Sequence, residues 1–134
     1  MARRPQSNGS LGEQLAEVWF VRHKWCMFRH QPATKVVYIE GVPRVVHTKK
    51  GRGTADYTGY RPRILNQYCA MECKEFSGKT MPCSNLDKEQ REWMDKLPPG
   101  CAYVAITWTD QDGPWCEVHP YKPKGSYCRG EGMR

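Results

Sequence analysis

An acidic and a basic residue stand two positions apart in a segment that otherwise has the composition of a β-strand. Within residues 68–76, strand alternation places Glu72 and Lys74 on one face, and two cysteines and a methionine on the other. The second face suits a protein core. Two interpretations of the first face are open. It is either a partly exposed strand with an ion pair, or a metal-binding carboxylate beside a lysine that orients an attacking water.

Asp56 lies in the preceding segment, residues 54–60, which is also predicted to be a strand. If this segment pairs with residues 68–76 as a hairpin, Asp56 reaches the neighbourhood of Glu72. Two carboxylates and a lysine on one sheet face form an oxygen-rich site suited to Mg²⁺, for which Mn²⁺ can substitute. Without a cation the two carboxylates would repel each other and one pKa would rise. The alternative is that Asp56 serves only the turn before its strand.

Two more polar residues lie in helical patterns that are otherwise apolar. Gln90 interrupts the apolar stripe of a predicted second helix, and a buried amide without a partner costs about 1–3 kcal/mol. We therefore expect it to meet a metal-bound water or Lys74, unless it reaches solvent at the edge of the stripe. Glu13 fits a capping box with Ser10, and it could also point at the same site.

The hydrophobic periodicity around these residues indicates an α/β domain with a mixed sheet. The first helix is predicted to bury Leu11, Leu15, Val18 and Trp19. The second is predicted to bury Leu86, Trp93, Met94 and Leu97. The predicted elements are a helix from Ser10 to about Lys24, strands at 25–30, 35–39, 54–60 and 68–76, a turn at 61–67, a helix capped by Ser84 or Asn85, a buried strand at 101–109 and a short edge strand at 115–118.

Positive charge is concentrated in the first half of the chain. The 134 residues carry a net charge of +7; residues 1–75 hold 13 Lys or Arg against 6 Asp or Glu, whereas residues 76–134 hold 8 of each. Such an asymmetry favours a polyanionic partner. Gly41 and Pro43 interrupt the strand pattern, and the basic segment that follows, with Gly51 and Gly53, is interpreted as an exposed loop that leads into the strand at 54–60. The candidate DNA-binding residues are Arg44, Lys49, Lys50, Arg52, Arg61 and Arg63.

The seven cysteines are an odd number, and the start of the chain lacks the apolar stretch of a signal peptide. We therefore expect reduced thiols and a cytoplasmic location. There is also no apolar run of about 18 residues, so no membrane span is expected. Cys116, His119 and Cys128 could hold part of a zinc site, although buried or idle cysteines are the competing interpretation.

Taken together, Asp56 followed by Glu72 and Lys74, with a helix before them and a helix and a strand after them, resemble the PD-(D/E)xK nuclease signature. More narrowly, the chain is similar to the RecU-type Holliday junction resolvases of bacteria and their phages, which suggests a small phage-type member. The likeness covers about residues 8–109. Its matching segments are 8–13, 32–34, 53–59, 71–75, 85–94 and 100–104.

The resemblance implies a restriction-endonuclease-like mixed sheet flanked by helices, in a single domain with a protruding basic loop. It implies a Mg²⁺ site made by Thr54, Asp56, Glu72 and Gln90, with Glu72, Lys74, Asp56 and Glu13 in catalytic roles. The expected domain plan is a flexible basic tail at 1–9, a nuclease domain at 10–118 with a stalk at 32–53, and a Gly- and Pro-rich tail at 119–134.

The implied activity is resolution of four-way DNA junctions by paired nicks, in DNA recombination and repair. The expected partners are branched double-stranded DNA and a second copy of the chain, with no membrane and no small-molecule substrate. Two alternatives stay open: a nuclease of this superfamily that acts on other DNA structures, and a non-catalytic basic module that binds nucleic acid. The candidate dimer-interface residues, which could instead complete a monomer's core, are Trp25, Phe28, Val36, Val37 and Tyr38.

Overall fold

A five-stranded mixed β-sheet carries one helix on each face. The computed structural model describes residues 10–30, 34–47, 55–110 and 113–134. Its elements, in chain order, are α1 (Leu11–His23), β1 (Cys26–Arg29), β2 (Thr34–Ile39), β3 (Val42–His47), β4 (Tyr57–Arg61), β5 (Ile64–Phe76), β6 (Thr80–Pro82), α2 (Lys88–Asp95), β7 (Ala102–Trp108), β8 (Trp115–Pro120) and β9 (Ser126–Cys128). The predicted single α/β domain is confirmed.

The strand order of the main sheet is β1-β4-β5-β7-β8. Strands β5 and β7 are parallel and are connected through α2, while every other neighbouring pair is antiparallel. Two smaller sheets pair β2 with β3 and β6 with β9. The predicted buried strand is β7, which lies inside the sheet between β5 and β8. Among the described residues, neither helix has the length and apolar character that a membrane span requires.

The two faces of the sheet have separate cores. On one face, α1 packs Ala16, Trp19 and Phe20 against the sheet. On the other, Leu86 and Met94 from the region of α2 pack with side chains of β5 and β7. The predicted apolar face of α1 is therefore partly wrong. Leu11 is 39% and Val18 is 61% exposed, because the small residues Gly12 and Ala16 face the sheet and let the helix approach it closely.

Both helices begin at capping residues. Ser10 caps α1 as predicted, and its hydroxyl accepts the N–H of Glu13 at 3.2 Å. The prediction for α2 is wrong, because Ser84 and Asn85 belong to a short 3₁₀ turn. Asp87 takes the N-cap position instead. The helix therefore begins later than expected.

The segment after β2 is a strand, which corrects the prediction that Pro43 ends the strand pattern. Glu40 and Gly41 connect β2 to β3 with φ angles of 51° and 80°, and two such left-handed residues favour a tight hairpin turn. Proline is tolerated in β3 because each strand of a two-stranded sheet has an outer edge that needs no N–H donor. Arg44 therefore lies in a strand, and residues 48–54 of the predicted loop lie outside the described residues.

The predicted turn at 61–67 is also wrong. Only Pro62 and Arg63 form the turn between β4 and β5, and Arg63 adopts a left-handed φ of 65°. A register shift between Gly59 and Arg61 marks a β-bulge that accommodates the longer β5. The β4–β5 hairpin that was predicted on hydrophobic alternation is confirmed, with a shorter turn.

Residues 119–134 fold back onto the sheet rather than forming the loose tail expected from their Gly and Pro content. Tyr127 of β9 is fully buried, and Val118 of β8 forms a β-bridge with Met133. The main-chain N–H of each of these two bridge residues donates to the carbonyl of the other, at 2.8 and 2.9 Å. The C-terminal segment is thus part of the folded domain.

A buried carboxylate holds this segment in place. Glu117 of β8 is fully buried and accepts hydrogen bonds from Trp115 Nε1 at 2.8 Å, from the N–H of Gly130 at 2.8 Å, and from His119 Nε2 at 3.1 Å. Burial by itself would raise the pKa of Glu117, but these hydrogen bonds favour the charged form and lower it below its ordinary value of 4.5. The ionised carboxylate therefore stabilises the fold.

We predict that Glu117→Gln lowers the free energy of unfolding at pH 7 by about 1.5–3 kcal/mol, the range for hydrogen bonds to charged groups. Because the folded pKa is depressed, the carboxylate's contribution is complete above about pH 4.5 and is lost as the pH falls through the folded pKa. Urea titrations at pH 7 and pH 3 measure this. The exposed Glu131→Gln is the matched control, and a difference between parent and Glu117→Gln that is equal at both pH values would contradict the prediction.

Candidate active site

The β4–β5 hairpin brings Asp56 and Glu72 to neighbouring positions. Tyr57 of β4 pairs with Met71 of β5 in the antiparallel hairpin. Asp56 precedes Tyr57 and Glu72 follows Met71, so the two acids lie opposite each other. The Oδ2 atom of the half-buried Asp56 accepts the backbone N–H of Cys73 at 2.9 Å. The expectation that the hairpin places Asp56 beside the Glu72 segment is therefore confirmed.

Glu72 is buried against α2 and is held there by Gln90. Its side chain is 2% exposed, and its Oε1 atom accepts a hydrogen bond from Gln90 Nε2 at 2.8 Å. The other end of the same amide, Gln90 Oε1, accepts the N–H of Asp87 at 2.9 Å. The polar partner expected for Gln90 is thus Glu72 rather than Lys74. A single side chain fixes the start of α2 and the position of the carboxylate.

In this structure both ends of the Gln90 amide, an implied metal ligand, form hydrogen bonds within the protein. Its amide oxygen, the atom that a cation would bind, is directed at the N-terminus of α2. Its amide nitrogen is directed at Glu72. Gln90 is therefore a positioning residue, one that orients a carboxylate through its hydrogen bond.

Lys74 shares its sheet face with Glu72. The two residues pair with Val104 and Ile106 of β7, both fully buried in the core under α2. Lys74 itself is half-buried. The alternation predicted for this strand is confirmed, because Met71 packs in the opposite core, against α1.

Burial and nearby negative charges raise the pKa of the Cys73 thiol. Its pKa lies well above its ordinary value, first because burial disfavours the thiolate, and further because the carboxylates of Asp56, Glu72 and Glu13 lie near it. Such a thiol is a poor nucleophile. Three carboxylates therefore contribute to the negative field at this sulfur, together with the thiol of Cys116.

Glu13 contributes to this field from α1, on the other side of the sheet from the α2 core. Its carboxylate forms an ion pair with Arg29 of β1, at 2.5 Å between Oε2 and Nη2. The sequence did not reveal Arg29 as its partner, because the packing of β1 beside α1 is set by long-range strand order. The structure shows Glu13 as a member of an ion pair near Cys73.

His30 is a residue near the site that the sequence analysis missed. Its N–H donates to the carbonyl of Asp56 at 2.8 Å, and its Nε2 lies 2.8 Å from Thr58 Oγ1. Gly59 permits this close approach of the two strands, because a Cβ there would lie 2.0 Å from the carbonyl oxygen of Cys26. The sequence offered one signal for this contact. His30 directly follows β1 and stands two residues after Phe28, the strand partner of Thr58, so alternation places it on the same side of the sheet.

The predicted DNA-binding residues fall into three groups. Arg44 and Arg63 are exposed. Arg61 has a structural role, since its Nη1 donates to Tyr103 Oη at 2.9 Å and its guanidinium lies 5.9 Å from that ring's centre. The remaining basic residues, Lys49, Lys50 and Arg52, lie outside the described part of the chain. Thr54 of the implied metal site and the basic tail at 1–9 lie outside it as well.

The donor atoms of the described residues decide which metal ions the protein can hold. Within residues 10–30, 34–47, 55–110 and 113–134, no three or more His, Cys, Asp or Glu side chains form a group able to hold a metal ion. Cys116, His119 and Cys128 therefore do not assemble the zinc site considered above. Mg²⁺ needs fewer protein ligands, because it keeps several waters and is bound by one or two carboxylates. Asp56 and Glu72 fit that requirement by chemistry and position.

Comparisons of the chain with protein-family models, with curated proteins and with solved structures found no match.

We predict that Gln90→Glu and Gln90→Ala destabilise the protein for different reasons. The Glu variant can still cap α2, but it faces Glu72 with a second negative charge, whose repulsion is relieved when one carboxyl is protonated. The loss of about 1–3 kcal/mol at pH 7 should therefore shrink at pH 5 for Gln90→Glu and stay nearly constant for Gln90→Ala. Urea titrations with EDTA present measure both. Equal pH dependence in the two variants would show that Gln90 does not contact Glu72.

Proposed function

We propose that this protein is a Mg²⁺-dependent DNA endonuclease that resolves four-way junctions by paired nicks. The observation that carries the proposal is the assembly of Asp56, Glu72 and Lys74 on the β4–β5 hairpin, with Gln90 of α2 holding Glu72. Acidic residues on two adjacent strands and a lysine two residues after the second acid are what the resemblance to PD-(D/E)xK nucleases requires.

The order of elements supports a restriction-endonuclease-like fold. Helix α1 is followed by the antiparallel strands β1, β4 and β5, then by α2, and then by β7, which is parallel to β5. The candidate residues lie at the start of the second strand of this unit, on its third strand and on its second helix. This is the arrangement that the nuclease signature implies, with the β2–β3 hairpin inserted between the first two strands.

Asp56 and Glu72 would hold the cation. When bound, Mg²⁺ supplies charge neutralisation at a phosphodiester and lowers the pKa of a water. The chain's own groups then set the geometry. Asp56 is fixed by the N–H of Cys73, and Glu72 by Gln90, so neither carboxylate must reorganise during the reaction. Lys74, on the same face, places a positive charge where it can orient the attacking water or contact the phosphate.

The alternative of a non-catalytic nucleic-acid-binding module has one supporting observation. The hydrogen bonds of Asp56 and Gln90 link three elements of the fold, and a purely structural network would make them too. The two proposals differ in one measurable respect. Only a nuclease requires the negative charge of Glu72 for phosphodiester cleavage.

We predict that Glu72→Gln and Asp56→Asn each reduce cleavage of a synthetic four-way junction by more than about a hundredfold, because several kcal/mol of transition-state stabilisation depend on the bound cation. DNA binding should be nearly unchanged. The assay compares the junction with a matching linear duplex, in Mg²⁺ and in EDTA. Glu92→Gln, the same chemical change on the exposed side of α2, is the control. Cleavage by Glu72→Gln at the parent rate would refute the proposed site.

The proposal also requires two matched nicks, and the described chain carries one set of candidate residues. We therefore predict a two-fold dimer, with light scattering at micromolar concentration giving about twice the mass of one chain. Of the candidate interface residues, Trp25 instead packs edge-on against Trp19 and Tyr103 in the core. Val36 and Tyr38 of the β2–β3 hairpin are 56% and 72% exposed and stay candidates. A protein that stays monomeric on junction DNA and makes one nick would leave only a simpler nuclease.

A further inference from the structure

Among the described residues, the elements packed on the sheet face that carries Glu72 cover only part of its width. Helix α2 packs over β5 and β7, and Tyr127 of β9 and Met81 of β6 are fully buried in the same core. Towards β1 and β4, the same face presents large exposed aromatic rings. Phe28 of β1 is 60% exposed and Tyr68 of β5 is 51% exposed, and Tyr60 of β4 is half-buried.

Strand register shows that these rings belong to the face of the candidate site. Phe28 pairs with Thr58, and Thr58 pairs with Ala70, which lies in the core under α2. Paired residues of antiparallel strands project to the same side. Tyr68 alternates with Ala70 and Glu72 along β5, so it projects to that side as well.

Both rings lie close to Glu72 by the geometry of the sheet. Tyr68 precedes Glu72 by four residues, about 13 Å at the strand rise of roughly 3.3 Å per residue. Phe28 lies two strands away and two residues along, at a similar distance of about 12 Å. Arg63 is exposed at the end of the β4–β5 hairpin beyond Tyr68, and Lys74 lies beyond Glu72. Arg63 therefore lies beyond the aromatic rings at one end of β5, and Lys74 lies beyond Glu72 towards the other end.

We propose that Phe28 and Tyr68 form a stacking platform for unpaired DNA bases next to the candidate active site. This inference rests on the proposed function, since it names the form of DNA that the site receives. Exposed aromatic rings beside positive charge are how proteins bind single strands without reading their sequence, and each stacked base adds substantially to affinity. Fully paired duplex keeps its bases inside the helix and cannot use these rings.

A second copy of this chain is the competing occupant, because Phe28 is also a candidate interface residue. Its place on the sheet argues against that role. A protein subunit seated on Phe28 and Tyr68 would lie beside Asp56 and Glu72 and would obstruct access of DNA to them. Bases stacked on the same rings would instead lead the backbone to the carboxylates. Continuity of the rings with the candidate site therefore favours DNA.

The test measures binding in EDTA, so that cleavage plays no part. The probes are a short single-stranded oligonucleotide containing aminopurine, a fluorescent adenine analogue whose emission falls on stacking, and the matching blunt duplex. Phe28→Leu and Tyr68→Leu should each weaken single-strand binding by about five- to a hundredfold and reduce the quenching, with little change in duplex affinity. Tyr68→Phe, which keeps the ring, should bind like the parent. Val21→Ala, at an apolar residue of α1 that is 80% exposed on the helix of the opposite sheet face, is the control.

Unquenched aminopurine in the parent protein would overturn the inference, as would Leu variants that bind single strands normally. Variants that lose self-association but keep single-strand affinity would also overturn it, and would assign the rings to a subunit interface. These failures are distinct from failure of the proposed function. Junction cleavage that depends on Glu72 can persist without the platform, and quenching by the platform can persist in a protein that cuts nothing.

Discussion

A carboxylate that is 2% exposed in the middle of a central strand is unfavourable unless its surroundings favour the charge, and the candidate active site is organised around that constraint at Glu72. Gln90 donates a hydrogen bond from its amide Nε2 to Glu72 Oε1, at 2.8 Å. The same amide caps α2 through its oxygen, so the position of the helix and the orientation of the carboxylate depend on one side chain. The connection from β5 to β7 through α2 is therefore stabilised by the hydrogen bonds of Gln90 as well as by apolar packing.

Strand β5 can carry the buried carboxylate of Glu72 because its two faces have different surroundings. Met71 and the partly buried Cys73 pack towards α1, where apolar burial stabilises the sheet. Glu72 and Lys74 take the other face, where α2 covers only part of the sheet. The backbone N–H of Cys73 donates to the Asp56 carboxylate and so fixes its position. Three consecutive residues thus supply a carboxylate, a hydrogen-bond donor and a charge without interrupting the core.

Local signals in the sequence were sufficient for the start of α1, for the buried strand β7 and for the hairpin that unites Asp56 with Glu72. Ser10, strand alternation and the apolar composition of β7 depend on neighbours within a few residues, and these predictions are confirmed. Long-range packing decided the rest. The buried face of α1 follows from Gly12 and Ala16 approaching the sheet, Pro43 is tolerated by a hairpin edge, and the partners of Glu13 and Gln90 come from strand order. None of these is encoded in local periodicity.

Two buried acids of the fold, Glu117 and Glu72, lie in different surroundings. Glu117 is surrounded by donors from its own chain: an indole N–H, a glycine N–H and a histidine, so its charge is matched internally. Glu72 has a donor in Gln90, but the adjoining strand places a second carboxylate, Asp56, beside it, and both charges raise the pKa of Cys73. Two like charges that strand register brings close together repel each other, and protonation of one carboxyl or a bound cation relieves that repulsion. The proposal of a metal-dependent reaction rests on this pairing of Asp56 with Glu72 on the β4–β5 hairpin.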